Sequence, residues 1–266
     1  MNHEYTYMNY EYINNTIKKY FTNFNLFKQN DNEYNVKLLC DENESVSFFI
    51  NFNYGKNIYV NYLHAPCNTL NGTTIIQNIQ SIAKELKINN IYLDDSSKIN
   101  IYGCSIPLAL VCIMINGESW YNKMGFFSDD YKEELDHNIN WLTRSTAIVI
   151  QEIKDKAVFK NKYDEKLFNE IDIMFEGSLN IDFNIAFMNI YNKIRFENEK
   201  NKTCNKNLKT LICFIEIIDN INVIKYNSIG LKYCVPEKHH KTRSKRRTKR
   251  RTKSMRLRMK SRKTVR

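Results

Sequence analysis

The segment from Ile75 to Leu86 restricts the possible folds more than any other part of the chain. Ile75, Ile76, Ile79, Ile82, Ala83 and Leu86 fall at i, i+1, i+4, i+7, i+8 and i+11, a single apolar stripe at helical period. Gln77, Asn78, Lys84, Glu85 and Lys87 fall off it and can face water. Thr74 followed by Gln77 has the pattern of a capping box, and Asn89-Asn90 reads as the stop. A strand pattern lies on either side, Asn57–Leu63 before and Asn90–Asp94 after. Two parallel strands joined by a helix form a right-handed βαβ unit. The turn Asn71-Gly72-Thr73 then sits at the carboxyl edge of the sheet, where such units bind ligands. Gly72 can take positive φ there and lets a ligand approach the backbone. The helix start behind it carries free N–H groups and about half a positive charge, a seat for phosphate.

The neighbouring segments extend this core. Tyr7–Phe27 is aromatic-rich, and Ile13, Ile17 and Phe21 at i, i+4 and i+8 predict a helix. Tyr34–Leu39, Val46–Phe52 and Ile58–Leu63 alternate apolar and polar residues and read as strands. Turns are expected at Asp41-Glu42-Asn43-Glu44 and Asn53-Tyr54-Gly55-Lys56. Ser105-Ile106-Pro107 resembles a helix start, and the run from Ile106 to Ile115 is apolar all round, hence buried. Asn116-Gly117 ends or kinks that helix. A short helix follows over Ser119–Met124 and stops at Gly125.

Together these features resemble the GNAT superfamily of N-acetyltransferases. A strand ends near Pro66, Gly72 follows six residues later, an apolar-striped helix and a strand come next, and the phrase Trp120-Tyr121-Asn122-Lys123-Met124-Gly125-Phe126 closes the pattern. The family often carries a proline after its fourth strand and an Arg/Gln-x-x-Gly-x-Gly/Ala turn around the coenzyme A pyrophosphate. A Tyr-x-x-x-Gly-Phe phrase closes a later helix. The resemblance implies acetyl-CoA as co-substrate, with Leu70, Asn71, Gly72, Thr73 and Thr74 around its pyrophosphate. It also implies that Tyr121 protonates the leaving thiolate. The departures are equally plain. Thr69 stands at the basic or glutamine position, Thr74 at the second small one and Met114 at the family's asparagine, and strand Ile58–Leu63 lacks a carboxylate. Glu118, Asp94, Asp95 and His64 are all open as the general base, and no pattern identifies the amine acceptor.

The charge is unevenly distributed. The stretch 237–266 holds 16 Lys and Arg against 1 acid, while the rest of the chain holds 24 against 28. The net charge of +11 therefore belongs to the tail, and the folded body is mildly acidic. The tail repeats Lys-Arg-Arg-Thr at 245–248 as 249–252 and has few apolar residues, so it is expected to be disordered alone. Its chemistry suits non-specific, salt-sensitive DNA or RNA binding, or nuclear targeting. It has no aromatic residue with which to stack on bases. The composition, with 37 Asn and many Ile, Lys and Tyr, is similar to that of proteins of large DNA viruses. Cys40, Cys67, Cys104, Cys112, Cys204, Cys213 and Cys234 form no CxxC pair, which argues against zinc or a disulfide framework and for a reducing, intracellular setting. Cys112 and Cys213 read as core residues, and Cys67 as the thiol to test for reactivity. The chain opens with no signal-like segment, and Ile106–Ile115 is too short to span a bilayer, so no membrane partner is expected.

Past Tyr131 no chemical motif is visible. Ile139, Leu142, Val149 and Ile153 fit one helix face and Leu208, Leu211, Ile212, Ile215 and Ile218 another. Val158–Glu199 reads as helical with loops, and Val223–Tyr226 with Leu231–Val235 as a closing hairpin. The expected fold class is α+β: a GNAT-like mixed central sheet flanked by helices over 1–130, a mainly helical extension over 131–236, and a disordered basic tail over 237–266. Two functions follow from these features: an acetyl-CoA-dependent N-acetyltransferase, or a catalytically inactive GNAT-like binding or structural protein that meets nucleic acid through its tail.

Overall fold

The computed structural model describes residues 9–40, 43–53, 55–63, 71–162 and 164–236. His64, Pro66, Cys67, Thr69, Leu70 and the tail 237–266, all named above, lie outside the described residues. The chain opens with helix α1 (Tyr10–Lys18) and a meander of four strands: β1 (Phe24–Asn30), β2 (Glu33–Cys40), β3 (Asn43–Asn51) and β4 (Asn57–Leu63). Helix α2 (Gly72–Glu85) leads to β5 (Asn90–Leu93), and a separate hairpin follows, β6 (Lys98–Ile101) with β7 (Cys104–Pro107). Then come α3 (Leu108–Asn116), α4 (Trp120–Lys123), α5 (Tyr131–Leu142), α6 (Thr146–Phe159), α7 (Glu165–Phe175), α8 (Phe183–Asn201), α9 (Lys206–Asn220) and β8 (Leu231–Cys234). The main sheet is mixed, in the order β1-β2-β3-β4-β5-β8, with β4 and β5 parallel and the other pairs antiparallel.

Period-2 alternation fixes the register. Tyr34, Val36 and Leu38 oppose Ile50, Phe48 and Val46. Phe48 and Ile50 in turn oppose Val60 and Ile58, and these two oppose Leu93 and Ile91. All are buried and lie on one face of the sheet, so a slip by one residue would turn that face to water. The α2 stripe packs on it: Ile76, Ile79, Ile82, Ala83 and Leu86 are fully buried. Each such isoleucine contributes about 1.5–3 kcal/mol of transfer free energy, which explains why this helix forms in a segment rich in β-branched residues.

Several expectations are corrected. The aromatic N-terminal stretch is not helical throughout: α1 stops at Lys18 and β1 begins at Phe24. Pairing of Phe24–Asn30 with β2 makes the end of this stretch a strand. Helix α2 is capped by Asn71 rather than Thr74, and it ends at Leu86–Lys87, with Lys87 left-handed, so that Asn90 is free to enter β5. Ser105 and Pro107 belong to β7, and α3 starts after Pro107 with no side-chain cap. Val223–Tyr226 forms no strand; β8 pairs with β5 instead.

Buried apolar residues fall into two clusters. One joins α1, α2 and the main sheet with Tyr121 and Phe126. The other runs from Ile101 through α3 and α5 to α9, with Phe168, Phe175, Phe183, Phe187 and Phe214 at its centre. The clusters interleave along the chain and do not divide at residue 130: α3 belongs to the helical cluster, whereas Leu231 of β8 returns to the sheet. Cys104 and Cys204 form a disulfide that joins β7 to the α8–α9 connection across 100 residues, so not every cysteine is unpaired as the spacing implied. Cys213 is exposed rather than part of the core, and Cys112 is half-buried. Among the described residues no helix is long and apolar enough to cross a membrane.

Candidate active site

The site begins where strand pairing fails. Parallel pairing of β4 and β5 ends at Val60 and Leu93, although β4 continues to Leu63. On the other side of β4, Ser47 opposes Tyr62 while Phe48 opposes Val60, which makes Asn61 an extra, bulged residue. A bulge re-aims the strand. β5 meanwhile turns away, as the Asp95 amide bonds the Ser228 carbonyl at 2.7 Å. Among the described residues, the backbone edge of Asn61–Leu63 thus has no partner strand on the β5 side. A cleft of about 840 Å³ opens at this point, within the range of small-molecule sites.

Three walls complete it. Gly72 and Thr73 come from the start of α2, Trp120 and Tyr121 from α4, and Asp94, Ser96, Ser97, Lys98, Asn100 and Ser105 from the β5 end and the β6–β7 hairpin. α4 is positioned by a complete capping box. The Asn122 amide donates to Ser119 Oγ at 3.2 Å, and the Ser119 amide donates to Asn122 Oδ1 at 2.9 Å. Asn122 Nδ2 reaches the Phe126 carbonyl at 2.9 Å, Gly125 makes the turn at φ 91°, and Gln80 of α2 donates to the Met124 carbonyl at 2.9 Å. This last bond ties the two predicted segments together.

Of the predicted pyrophosphate residues, Gly72 and Thr73 line the cleft, Asn71 and Thr74 do not, and Leu70 lies outside the described residues. Asn71 Oδ1 accepts from the Thr74 amide at 2.9 Å and the Thr74 hydroxyl at 3.1 Å, and the Asn71 carbonyl accepts from the Ile75 amide at 3.1 Å. The amides of Gly72 and Thr73 remain for a ligand, with no partner among the described residues. Gly72 is the first helical residue and does not use the positive φ open to a glycine; a β-carbon there would lie 3.4 Å from the Trp120 indole.

Tyr121 lines the cleft with only 5% of its surface exposed, and no described residue hydrogen-bonds its hydroxyl. Burial pushes its phenol well above the usual tyrosine range, and the nearby Asp95 carboxylate adds to this. The phenol therefore stays protonated at neutral pH. The four possible bases separate. Asp94 lines the cleft, with Oδ1 accepting from the Gly230 amide at 2.6 Å. Asp95 is buried and bound by Tyr226 and Ser97. Glu118 accepts from Tyr131 at 2.6 Å and is not part of the cleft wall, and His64 lies outside the described residues. The local motif reading missed Asn61, Lys98, Asn100 and Ser105; the break between Leu93 and Pro107 carried the only signal, a Tyr102-Gly103 turn. Among the described residues no cluster of His, Cys, Asp or Glu could hold a metal ion. Comparisons with protein-family models, with curated proteins and with solved structures each find no match.

Proposed function

We propose that the protein is a GNAT-like N-acetyltransferase that takes acetyl-CoA as co-substrate and acetylates an amine. The observation that carries this reading is that the first turn of α2 and the Tyr121 phenol, 49 residues apart in sequence, wall the same cleft at the carboxyl ends of two parallel strands. In this reading the diphosphate sits against the Gly72 and Thr73 amides. The pantetheine arm carries two amides and can pair with the open edge of Asn61–Leu63 as an added strand would. The acceptor nitrogen attacks the acetyl carbonyl, the C–S bond breaks, and Tyr121 gives its proton to the departing thiolate. Asp94, the carboxylate on the cleft wall, takes the proton released by the amine.

Titration calorimetry with acetyl-CoA tests the seat, with binding expected for the natural chain and lost on Gly72→Asp. Thiol release in the presence of amines tests turnover, with Tyr121→Phe expected to slow release without weakening acetyl-CoA. Absence of acetyl-CoA binding by the natural chain would end the reading. Two features of the sequence favour the second reading, an inactive binding module: Thr69 stands where the resemblance implies a basic or glutamine residue, and Ile58–Leu63 carries no carboxylate. Binding without thiol release from any amine would select it. In either case the 237–266 tail is proposed to contact DNA or RNA phosphates, and its deletion should abolish salt-sensitive binding while leaving acetyl-CoA binding intact.

A further inference from the structure

We infer that Lys98, at the base of the β6–β7 hairpin, is the cation that binds phosphate of the ligand seated against Gly72 and Thr73; this rests on the acetyl-CoA reading of the cleft. The helix start alone offers two amides and a partial charge, which is little for a ligand bearing a diphosphate and a further phosphate. Where the GNAT resemblance implies a basic or glutamine residue to supplement it, the sequence holds Thr69. Lys98 fills that chemical role from a different element. It is the one Lys or Arg among the described residues of the cleft wall, and no described acid forms an ion pair with it. The single carboxylate among the described residues of the wall, Asp94, already receives the Gly230 amide. Tyr121, a side chain only 5% exposed that lines the cleft and has no described partner for its hydroxyl, is an independent feature of the cleft that suits a polar ligand.

The hairpin is built to hold the lysine in place. Tyr102 and Gly103, at φ 45° and 88°, make a two-residue turn whose twist matches its strands. Ile101 and Ile106 are buried in the helical cluster. Lys98 pairs in register with Pro107, and the Leu108 amide bonds the Ser97 carbonyl at 2.9 Å. The ammonium therefore extends from a fixed base, and a lysine needs no bidentate geometry to neutralise a phosphate.

Calorimetry on the full chain tests this with acetyl-CoA, dephospho-acetyl-CoA and S-acetylpantetheine, for the natural protein, Lys98→Ala and Lys98→Arg. Lys98→Ala should raise the Kd of acetyl-CoA about tenfold, the loss of one charge-assisted contact, and flatten its salt dependence. Lys98→Arg should stay within about threefold of the natural chain. S-acetylpantetheine, with no phosphate, should bind both equally. A Lys98→Ala effect that persists with dephospho-acetyl-CoA assigns the lysine to the diphosphate, and one that disappears assigns it to the 3′-phosphate. Equal Kd values for acetyl-CoA in the natural and Lys98→Ala chains overturn the inference alone, whereas no binding by the natural chain overturns it together with the acetyl-CoA reading.

Discussion

Tyr226 donates a 2.5 Å hydrogen bond to Asp95 Oδ2 across 131 residues of sequence, and the other oxygen of this buried carboxylate takes the Ser97 amide at 3.1 Å. The bond joins the segment leading into β8 to the end of β5, beside Asp94 and Ser96 of the cleft wall in sequence. Replacing Tyr226 by Phe leaves a buried carboxylate short of a donor, so a loss of about 1–3 kcal/mol is expected. Urea unfolding measures it, and a change below a few tenths would show that water replaces the phenol without cost.

The same tyrosines set an alkaline limit. Burial raises the phenols of Tyr226 and Tyr121 above their unfolded value, with Asp95 adding to both shifts. A raised folded pKa gives stability that is fully present below the unfolded pKa and lost as pH rises through it. Stability should therefore hold up to about pH 10 and fall above it, because the unfolded chain then sheds protons that the folded chain retains. Thermal melts from pH 8 to 11 check this, with Tyr226→Phe giving the shallower decline.

Gly72 and Gly125 should respond oppositely to alanine. Gly72 has helical backbone and ordinary space around a β-carbon, so Gly72→Ala should leave stability unchanged or raise it by up to about 1 kcal/mol. Gly125 sits at φ 91° with the Tyr233 ring 3.2 Å from any β-carbon, so Gly125→Ala should cost about 1–2 kcal/mol. Differential scanning calorimetry separates the two. Equal melting temperatures would mean that the α4 turn adapts freely.

Asn71→Ala removes the acceptor for the Thr74 amide and should destabilise α2 by about 1 kcal/mol, whereas Asn71→Asp should retain the cap. Hydrogen exchange at the first turn of α2 gives the local readout. If the alanine variant exchanges at the natural rate, the cap contributes nothing.

Converting both Cys104 and Cys204 to Ser removes a link that closes a loop of 100 residues. By chain entropy such a link contributes about 4–5 kcal/mol in the oxidised protein. Peptide mapping without reductant should recover the 104–204 pair, and denaturation midpoints of natural and double-Ser chains should differ only in the absence of reductant.

Much of the sheet was legible because its signals are local. Val36, Phe48 and Ile58 alternate, α2 carries an unbroken stripe, and β4-α2-β5 follows from adjacency. What escaped depends on distant partners. Nothing near Leu231 says that β8 pairs with Asn90–Leu93 rather than with Val223–Tyr226. Ser105-Ile106-Pro107 carries the chemistry of a helix cap, and only pairing with Lys98–Ile101 makes it a strand. At the site, Gly72, Thr73 and Tyr121 were named from local phrases. Asn61 and Lys98 were not, since a bulge is visible only in register with β3 and a lysine on a short hairpin strand looks like any other surface charge.

The pairing of β8 with β5 also constrains how the chain is made. Until residues 231–234 emerge from the ribosome, one edge of β5 faces water beside its finished neighbour, with amides and carbonyls exposed. A nascent chain cut short before that strand would carry an adhesive border, so a fragment ending at residue 130 is expected to associate with itself rather than fold alone.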